Sequence, residues 1–458
     1  MRRSLVIAVA ALASAAGHAH AQGSAVMTHS SCAVALGAAG VARPCDDGSA
    51  VLFNPAAVAT QRSAIGVGWT GVTTSGSFTY DRTGEVIDRK EETSSVPFGF
   101  ATYRVNDRLG VGLGVFNPYG LTVDWPLDFE GRYVSYKTKL QNIYIQPTVA
   151  YQATSWLSVG GGIDVVAANI EINQRLDLAT TPLPAGQAPF PGATFGNVGV
   201  PSGTDFANAV LSGDGTGVGF HLGALAKVTE NFSVGVRYLS PVKVDYDGTA
   251  DFTQIPTNAT LPTGVPLDAA LAAQFAENGP LADQGIETNL TLPAQLVVGV
   301  AVRPIRTLQL LADYQWTGWS SFDAAPIDFQ GNGPDQTLVL DYQNANTWRL
   351  GAELMATPAL ALRGGFIYNT AAEKRYSVSP LLPEAERNYI TAGAGYRFDN
   401  GLGIDVGYQH IDQSARRGRV RGRSPGMTLE QLQALNVGVY EVDAHVLGVT
   451  LSYRFGRR

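Results

Sequence analysis

In the stretch Leu402-Gly403-Ile404-Asp405-Val406-Gly407-Tyr408-Gln409, apolar residues alternate with small or polar ones at every step. A strand points successive side chains to opposite faces, so a period of two builds one oily face and one polar face. Phe232, Val234, Val236 and Tyr238 oppose Ser233, Gly235 and Arg237 in the same manner. So do Leu308, Leu310, Ala312, Tyr314 and Trp316 against Gln309, Asp313, Gln315 and Thr317. The second face is rich in Gly, Gln and Asp, as expected of a crowded polar interior.

Fourteen such segments follow from Ser63, near 63–80, 93–104, 109–123, 136–152, 155–174, 216–228, 231–249, 287–303, 306–322, 337–355, 358–370, 388–398, 401–413 and 440–456. Val105-Asn106-Asp107-Arg108, Ala153-Thr154, Thr229-Glu230, Pro304-Ile305, Ala356-Thr357 and Asp399-Asn400 are tight connections. They alternate with long ones near 124–135, 175–215, 250–286, 323–336, 371–387 and 414–439. Short turns on one rim, long loops on the other and an even strand count mark transmembrane β-barrels. The expected fold is all-β, a 14-stranded antiparallel transmembrane β-barrel, closed so that no backbone edge meets lipid. Trp69, Tyr103, Trp156, Trp316, Trp348 and Tyr453 fall near segment ends, where interfacial aromatics sit. With the N-terminus in the periplasm, every tight turn falls on the periplasmic side.

Composition agrees. The 458 residues include 52 Gly, with 16% charged and 45% hydrophobic residues. Mean hydropathy is +0.02, and no apolar run after the first twenty residues approaches the roughly 18 residues of a membrane helix. Lys and Arg number 32 against 39 Asp and Glu, a net charge of −7, so the basic footprint of nucleic-acid binding is missing. Arg2, Arg3, the apolar stretch 5–13 and Ala19-His20-Ala21 occur in signal-peptide order, so residues 1–21 are expected to be removed. In an exported chain the close pair Cys32 and Cys45 reads as a disulfide. A metal site would need more ligands than nearby His29, and neither metal nor cofactor is expected. Residues 22–62 do not alternate. Ala33-Val34-Ala35-Leu36 and Val51-Leu52-Phe53 favour burial, hence a plug, or hatch, for the barrel of residues 63–458.

Several motifs together resemble one family. Asp46-Asp47-Gly48-Ser49-Ala50-Val51-Leu52-Phe53-Asn54-Pro55-Ala56 is similar to the hatch segment of the FadL-like outer-membrane transporters of long-chain fatty acids and aromatic hydrocarbons. Gly112-Leu113-Gly114-Val115-Phe116-Asn117-Pro118-Tyr119-Gly120-Leu121 and Gly131-Arg132-Tyr133 resemble its third strand and the loop beyond. Leu292-Pro293-Ala294, the 316–322 stretch, and Leu382-Pro383 with Arg387 are similar to further landmarks, in the family's order. The resemblance implies a hatch-plugged barrel in the bacterial outer membrane. It would catch hydrophobic ligands in its extracellular loops, pass them to the lumen and release them laterally where the third strand kinks. The movement would be passive.

The residues give their own grounds for the kink. Pro118 lacks an amide and Gly120 a side chain, so Asn117-Pro118-Tyr119-Gly120 either interrupts the ladder or forms the turn ending a short strand. Asn54-Pro55-Ala56 is either an Asx-type turn closing the plug or a latch holding the hatch, and both can hold. The longest connections carry Phe190, Phe195, Phe206 and Phe252, and Leu267, Leu271 and Phe275 recur at helical spacing. That apolar face covers either another loop or a ligand. A second short helix begins at Thr428. A buried carboxylate would need a cation, and Arg132, Arg237, Lys243, Arg349, Arg387 and Arg397 are the candidates. The run Arg416-Arg417-Gly418-Arg419-Val420-Arg421-Gly422-Arg423 suits either lipopolysaccharide phosphates or a solvated loop. The expected partners are hydrophobic small molecules and outer-membrane lipid.

Rival functions fit less well. A barrel enzyme needs a serine activated by histidine, yet His29, His221, His410 and His445 stand beside no nucleophile motif. A diffusion porin would lack the plug. A structural or adhesive barrel is the remaining alternative. Fatty acids are the first ligand expectation and aromatic hydrocarbons the second.

Overall fold

The computed structural model describes residues 28–183, 189–260, 266–423 and 426–456; the expected signal peptide lies outside them. The described residues form β1 Ser63–Tyr80, β2 Val86–Asp88, β3 Glu92–Arg104, β4 Leu109–Asp124, β5 Lys137–Gln152, β6 Leu157–Asp177, β7 Asp205–Thr229, β8 Phe232–Leu239, β9 Val242–Gln254 and β10 Gln284–Leu292. There follow β11 Gln295–Ile305, β12 Leu308–Thr317, β13 Ala324–Phe329, β14 Gln336–Val339, β15 Ala345–Met355, β16 Leu360–Asn369, β17 Arg387–Arg397, β18 Leu402–Arg419 and β19 Asn436–Phe455. All pair antiparallel in one sheet, and β1 meets β19 from Ser63↔Phe455 to Tyr80↔Gly438, closing the barrel. The wall has fourteen staves, because β8 with β9 and β10 with β11 each make one, while β2, β13 and β14 extend the outer rim.

The two faces follow the alternation. Ile65, Val67, Leu402, Ile404, Leu447 and Leu451 are exposed on the outside, where lipid covers them, whereas Asp313, Gln315, Arg349, Asp405 and Gln409 are buried within. All six tight connections join staves at one rim. The outer parts of the strands run further than the alternation indicates. β7 starts at Asp205, β9 ends at Gln254, β18 reaches Arg419 and β19 starts at Asn436. Beyond the membrane both faces meet water or loops, so the ladder persists without a lipid-facing stripe to reveal it. Two staves are creased, at Ser240-Pro241 and at Pro293-Ala294, where proline interrupts the ladder.

Residues 28–62 pack inside the lumen. Helix α1 Ser31–Ala35, helix α2 Ala50–Phe53 and the 3-10 turn Pro55–Ala59 are almost wholly buried, and Cys32 is bonded to Cys45. Such short elements leave many backbone groups unpaired, and the wall satisfies them. Asp313 accepts the amides of Gly40 (2.8 Å) and Val41 (3.0 Å), and Thr391 accepts that of Gly37 (3.1 Å). Asn54 accepts the Ala56 amide, capping the 3-10 turn, while its amide group donates to Val41 O and to Ala224 O of β7. Turn and latch thus coexist in one side chain.

The wall yields to the plug with glycine. A methyl group added at Gly66, Gly110, Gly160, Gly223, Gly235, Gly351 or Gly407 would lie within 2.6 Å of a hatch atom. These residues come from β1, β4, β6, β7, β8, β15 and β18 and ring the plug at its own level. Only a residue without Cβ admits so close a backbone approach.

Gly235 makes one of the two sharpest contacts, 2.1 Å from Val41 O on addition of Cβ. Gly235→Ala should cost about 1–3 kcal/mol through overpacking and displace the neighbouring hatch segment. Amide hydrogen exchange over the hatch residues 40–43 should quicken several-fold while the barrel keeps its heat-resistant migration in gels. Unchanged exchange would show that the plug does not seat on this glycine.

Candidate functional site

The third stave departs from the pattern of the others. β4 pairs with β3 only from Gly110↔Arg104 to Val115↔Gly99, so β3 residues 92–98 have β1 as their sole strand neighbour. On its other side β4 slips register between Phe116↔Tyr144 and Tyr119↔Asn142, a bulge that leaves Asn117 and Pro118 unmatched. Every residue from Phe116 to Asp124 is buried, without alternation. The outer half of β4 has parted from β3, stays paired with β5 and is buried on both faces. The tetrad Asn117-Pro118-Tyr119-Gly120 therefore lies within a strand and is not a turn at its end.

Four side chains outside those motifs frame the gap. Pro97, which has no amide, occupies the stretch of β3 without a partner on the β4 side. At the outer end, Arg89 donates to Thr122 O (3.1 Å) and Lys90 pairs with Asp124 (2.7 Å). At the inner end, His29 of the hatch accepts the Asn117 amide through Nε2 (3.1 Å) and sets its ring edgewise against Phe98 and Phe116. Burial pushes the His29 pKa down to about 3, so it remains a neutral acceptor. A proline inside an alternating segment was the available signal for Pro97; nothing local distinguishes Arg89 or His29.

Behind the gap lies a cavity of about 770 Å³ walled by Leu121, Leu140, Ile170, Tyr246, Leu290 and Phe322, with Tyr342, Leu381 and Leu382 on the loop side. Hydrocarbon forms nearly all of its surface. A second pocket, of about 550 Å³, is lined by His29, Phe53, Pro118, Arg237, Asp313 and Arg349. Tyr119 stands in sequence between Pro118 of the inner pocket and Leu121 of the outer one. Its hydroxyl donates to Pro293 O (2.7 Å) and accepts from Gln295 (2.8 Å), which itself accepts from Arg237 (3.0 Å). Arg349 donates to Gln315 (2.6 Å). Among the described residues Asp313 is the one carboxylate lining this inner pocket, and two hatch amides occupy its Oδ2. Nε and Nη2 of Arg237 have no hydrogen-bond partner among the described residues.

The loop candidates divide. Phe195, Phe206, Leu267 and Leu271 are buried in one cluster with Leu178, and Phe275 packs at its edge. The short helix Leu267–Leu271 thus covers other loop residues. Phe206 and Phe252 belong to β7 and β9, not to loops, because the ladder extends past the membrane. Phe252 stacks on Phe329, apart from that cluster, and Phe190 is 52% exposed. Arg132 is engaged by Asp205 (3.0 Å) and lies over the Tyr133 ring. Lys243 does not face the lumen: the β9 alternation turns it outward, paired with Asp245 (2.8 Å). Arg387 is buried, donating to Gln413 (2.8 Å) beside Glu384 (3.7 Å), and Arg397 pairs with Asp405 (2.7 Å) at the opposite end of the barrel. The arginine run ties loops together: Arg417 meets Asp81, and Arg421 bridges Glu130 (2.7 Å) and Asp177 (2.8 Å). Those charges are engaged within the chain. The second short helix forms over Leu429–Ala434, with the Thr428–Gln431 capping box. His221 lies between Asp164 (2.8 Å) and Thr148 (2.9 Å), an order like that of a hydrolytic triad. All three are buried in the wall, and none lines any of the cavities described.

The loop 370–386 lies against the outer cavity through a buried carboxyl pair. Glu384 accepts the amides of Ala372 (2.8 Å) and Glu373 (3.0 Å), and Glu373 accepts that of Glu384 (3.3 Å). Pro380 O accepts from the Trp125 indole (3.1 Å). Burial, and then the neighbouring Glu384, holds the Glu373 carboxyl well above its ordinary value of 4.5; burial raises that of Glu384 as well.

A family model described as "Outer membrane protein transport protein (OMPP1/FadL/TodX)" matches residues 12–455. Outer membrane protein P1 of Haemophilus influenzae is 25% identical over 326 residues, 69% of this chain and 65% of that protein, slightly under two thirds of its length. The long-chain fatty acid transport protein of Escherichia coli O6:H1 is 26% identical over 337 residues, 72% of this chain and 73% of that one. Among solved structures, a Pseudomonas aeruginosa FadL homologue superposes with a TM-score of 0.78 at 21% identity, covering 95% of this chain and 100% of its own. The Ralstonia pickettii toluene transporter TbuX gives 0.66 at 18% identity, covering 94% and 99%.

Because the folded loop holds protons that the unfolded carboxyls release above about 4.5, its stability should fall as pH rises from 5 to 8. Protection of the 370–386 amides, their hydrogen exchange measured relative to the intrinsic rate at each pH, should fall across that range, and Glu373→Gln should flatten the fall. Protection that does not change with pH in the unmodified protein would refute this.

Proposed function

The chain belongs to the OMPP1/FadL/TodX family of outer-membrane transport proteins, and from that premise we propose that its ligands are long-chain fatty acids released sideways past β4. Transport of hydrophobic compounds across the outer membrane is the property the family carries. The choice of fatty acid rests on one observation, an apolar cavity next to a pocket holding Arg237 and Arg349. An alkyl chain fills the first by excluding water. A carboxylate entering the second meets the two Arg237 nitrogens that have no hydrogen-bond partner among the described residues. Tyr119 divides the two compartments.

The lateral route rests on the outer half of β4. Where β4 and β3 part, the wall has no ladder, so an apolar chain passes from lumen to lipid without breaking backbone hydrogen bonds. His29 closes the inner end of that gap from the hatch, and Asn117 and Pro118 supply the bulge that opens it. A shift of the hatch withdraws His29 from the Asn117 amide, which couples plug and gap. The extracellular cleft of about 1,780 Å³ lined by Tyr133, Arg175, Phe206, Leu281 and Arg421 serves as the place of first capture.

Aromatic hydrocarbons are the second reading, favoured by the almost uncharged wall of the outer cavity with Phe322, Tyr246 and Tyr342 in it. The two separate experimentally. In Arg237→Met/Arg349→Met, uptake of labelled oleate should fall by about tenfold or more, the worth of a charged hydrogen bond, while toluene uptake is unchanged. Equal loss of both, or of neither, would sink the carboxylate role. For the route, Pro118→Val restores an amide to β4 and should depress uptake of either ligand without loss of the heat-resistant fold. Normal uptake by that variant would refute lateral release.

A further inference from the structure

Beneath the hatch, on its periplasmic side, lies a cleft that the transport route does not use. It holds about 1,000 Å³ between the hatch, the β11–β12 and β15–β16 turns and the ends of β17 and β19. Arg43, Arg303, Arg306, Arg363, Arg397 and Arg454 all line it. Three carboxylates answer them. Glu353 and Asp405 hold Arg363 (2.7 Å each), Asp405 also holds Arg397 (2.7 Å), and Asp46 reaches Arg454 at 3.6 Å. Arg43, Arg303 and Arg306 have no ion pair within 4.0 Å among the described residues. Leu36, Leu308, Leu311 and Met355 add a hydrocarbon strip to the wall, beside the Cys32–Cys45 bridge, Thr307 and Gln309.

We propose that this cleft is a second binding site, on the periplasmic face, for the carboxylate of an anionic amphiphile. Surplus guanidiniums converging on one hollow repel one another until an anion joins them, and a carboxylate accepts arginine in bidentate fashion. A small inorganic anion satisfies the charges and leaves the leucine and methionine wall wet; an alkyl carboxylate satisfies both. The site is separate from the lumen pocket. Cys32 and Leu36 face the cleft from one side of the hatch, whereas Val41, Leu52 and Phe53 face the inner pocket from the other. An amphiphile here touches Arg43 and Asp46 of the hatch itself, so the plug senses ligand from the periplasm as well as from the lumen. The inference stands on the cleft's own lining and does not require the lumen to take fatty acids.

The test uses the full-length barrel with Thr307→Cys, a turn residue lining the cleft, labelled with a fluorophore; the native cysteines are bonded to each other. Quenching by 12-bromododecanoate should be saturable. It should weaken by about tenfold or more in Arg303→Gln/Arg306→Gln, and millimolar inorganic phosphate should not displace it. The methyl ester should give no saturable quenching. Equal quenching by the ester, unchanged affinity in the double variant, or displacement by phosphate would each overturn the proposal. The readout is binding at the cleft, so failure here is distinguishable from failure of oleate uptake.

Discussion

The structure depends on the approach of the hatch backbone to a wall with no side chain in the way. A barrel of this size would otherwise enclose water, and the plug is too short and too irregular to satisfy its own amides. It survives burial because Asp313, Thr391 and Asn54 reach its backbone groups and because glycines let it come within reach. Nine staves contribute such a glycine at the level of the plug, Gly365 of β16 and Gly393 of β17 included, and that ring gives a part of the 52 glycines their reason. The lumen is therefore filled by main chain where a soluble protein would use side chains.

With the lumen blocked, the parting of β4 from β3 acquires its importance. β4 leaves β3 above Val115, while the ladder that closes the barrel between β1 and β19 runs without a register shift. Water-soluble compounds gain nothing from such a gap, since it faces hydrocarbon. A ligand partitioning between an apolar cavity and the bilayer needs no energy source, in keeping with passive transport.

The barrel was legible because its lipid face imposes a strict period of two over most staves and the turn lengths alternate with it. Legibility ended where the lipid does. Asp205-Phe206-Ala207-Asn208 reads as loop and is strand, since above the membrane neither face must be oily. The bulge could be read from Pro118 lacking an amide, though no residue pattern shows whether such a defect sits inside a strand or at its end. Lys243 misled for a related reason: composition identifies a cation near the outer rim, but which way it points depends on a register set by the crease at Pro241. Arg89 and His29 were out of reach altogether, because their partners lie on other elements and are brought to them by closure of the barrel.

The crease at Pro293 and the bulge at Pro118 lie across the lumen from each other, and one hydrogen bond joins them. Tyr119, carried inward by the bulge, donates to the Pro293 carbonyl, which lies between β10 and β11 and outside the ladder. Each interruption thereby supplies what the other lacks, a donor on one side and an acceptor on the other. Neither proline is then an isolated imperfection; they form a matched pair, and any lineage that straightens one stave inherits a stranded polar group on the opposite side.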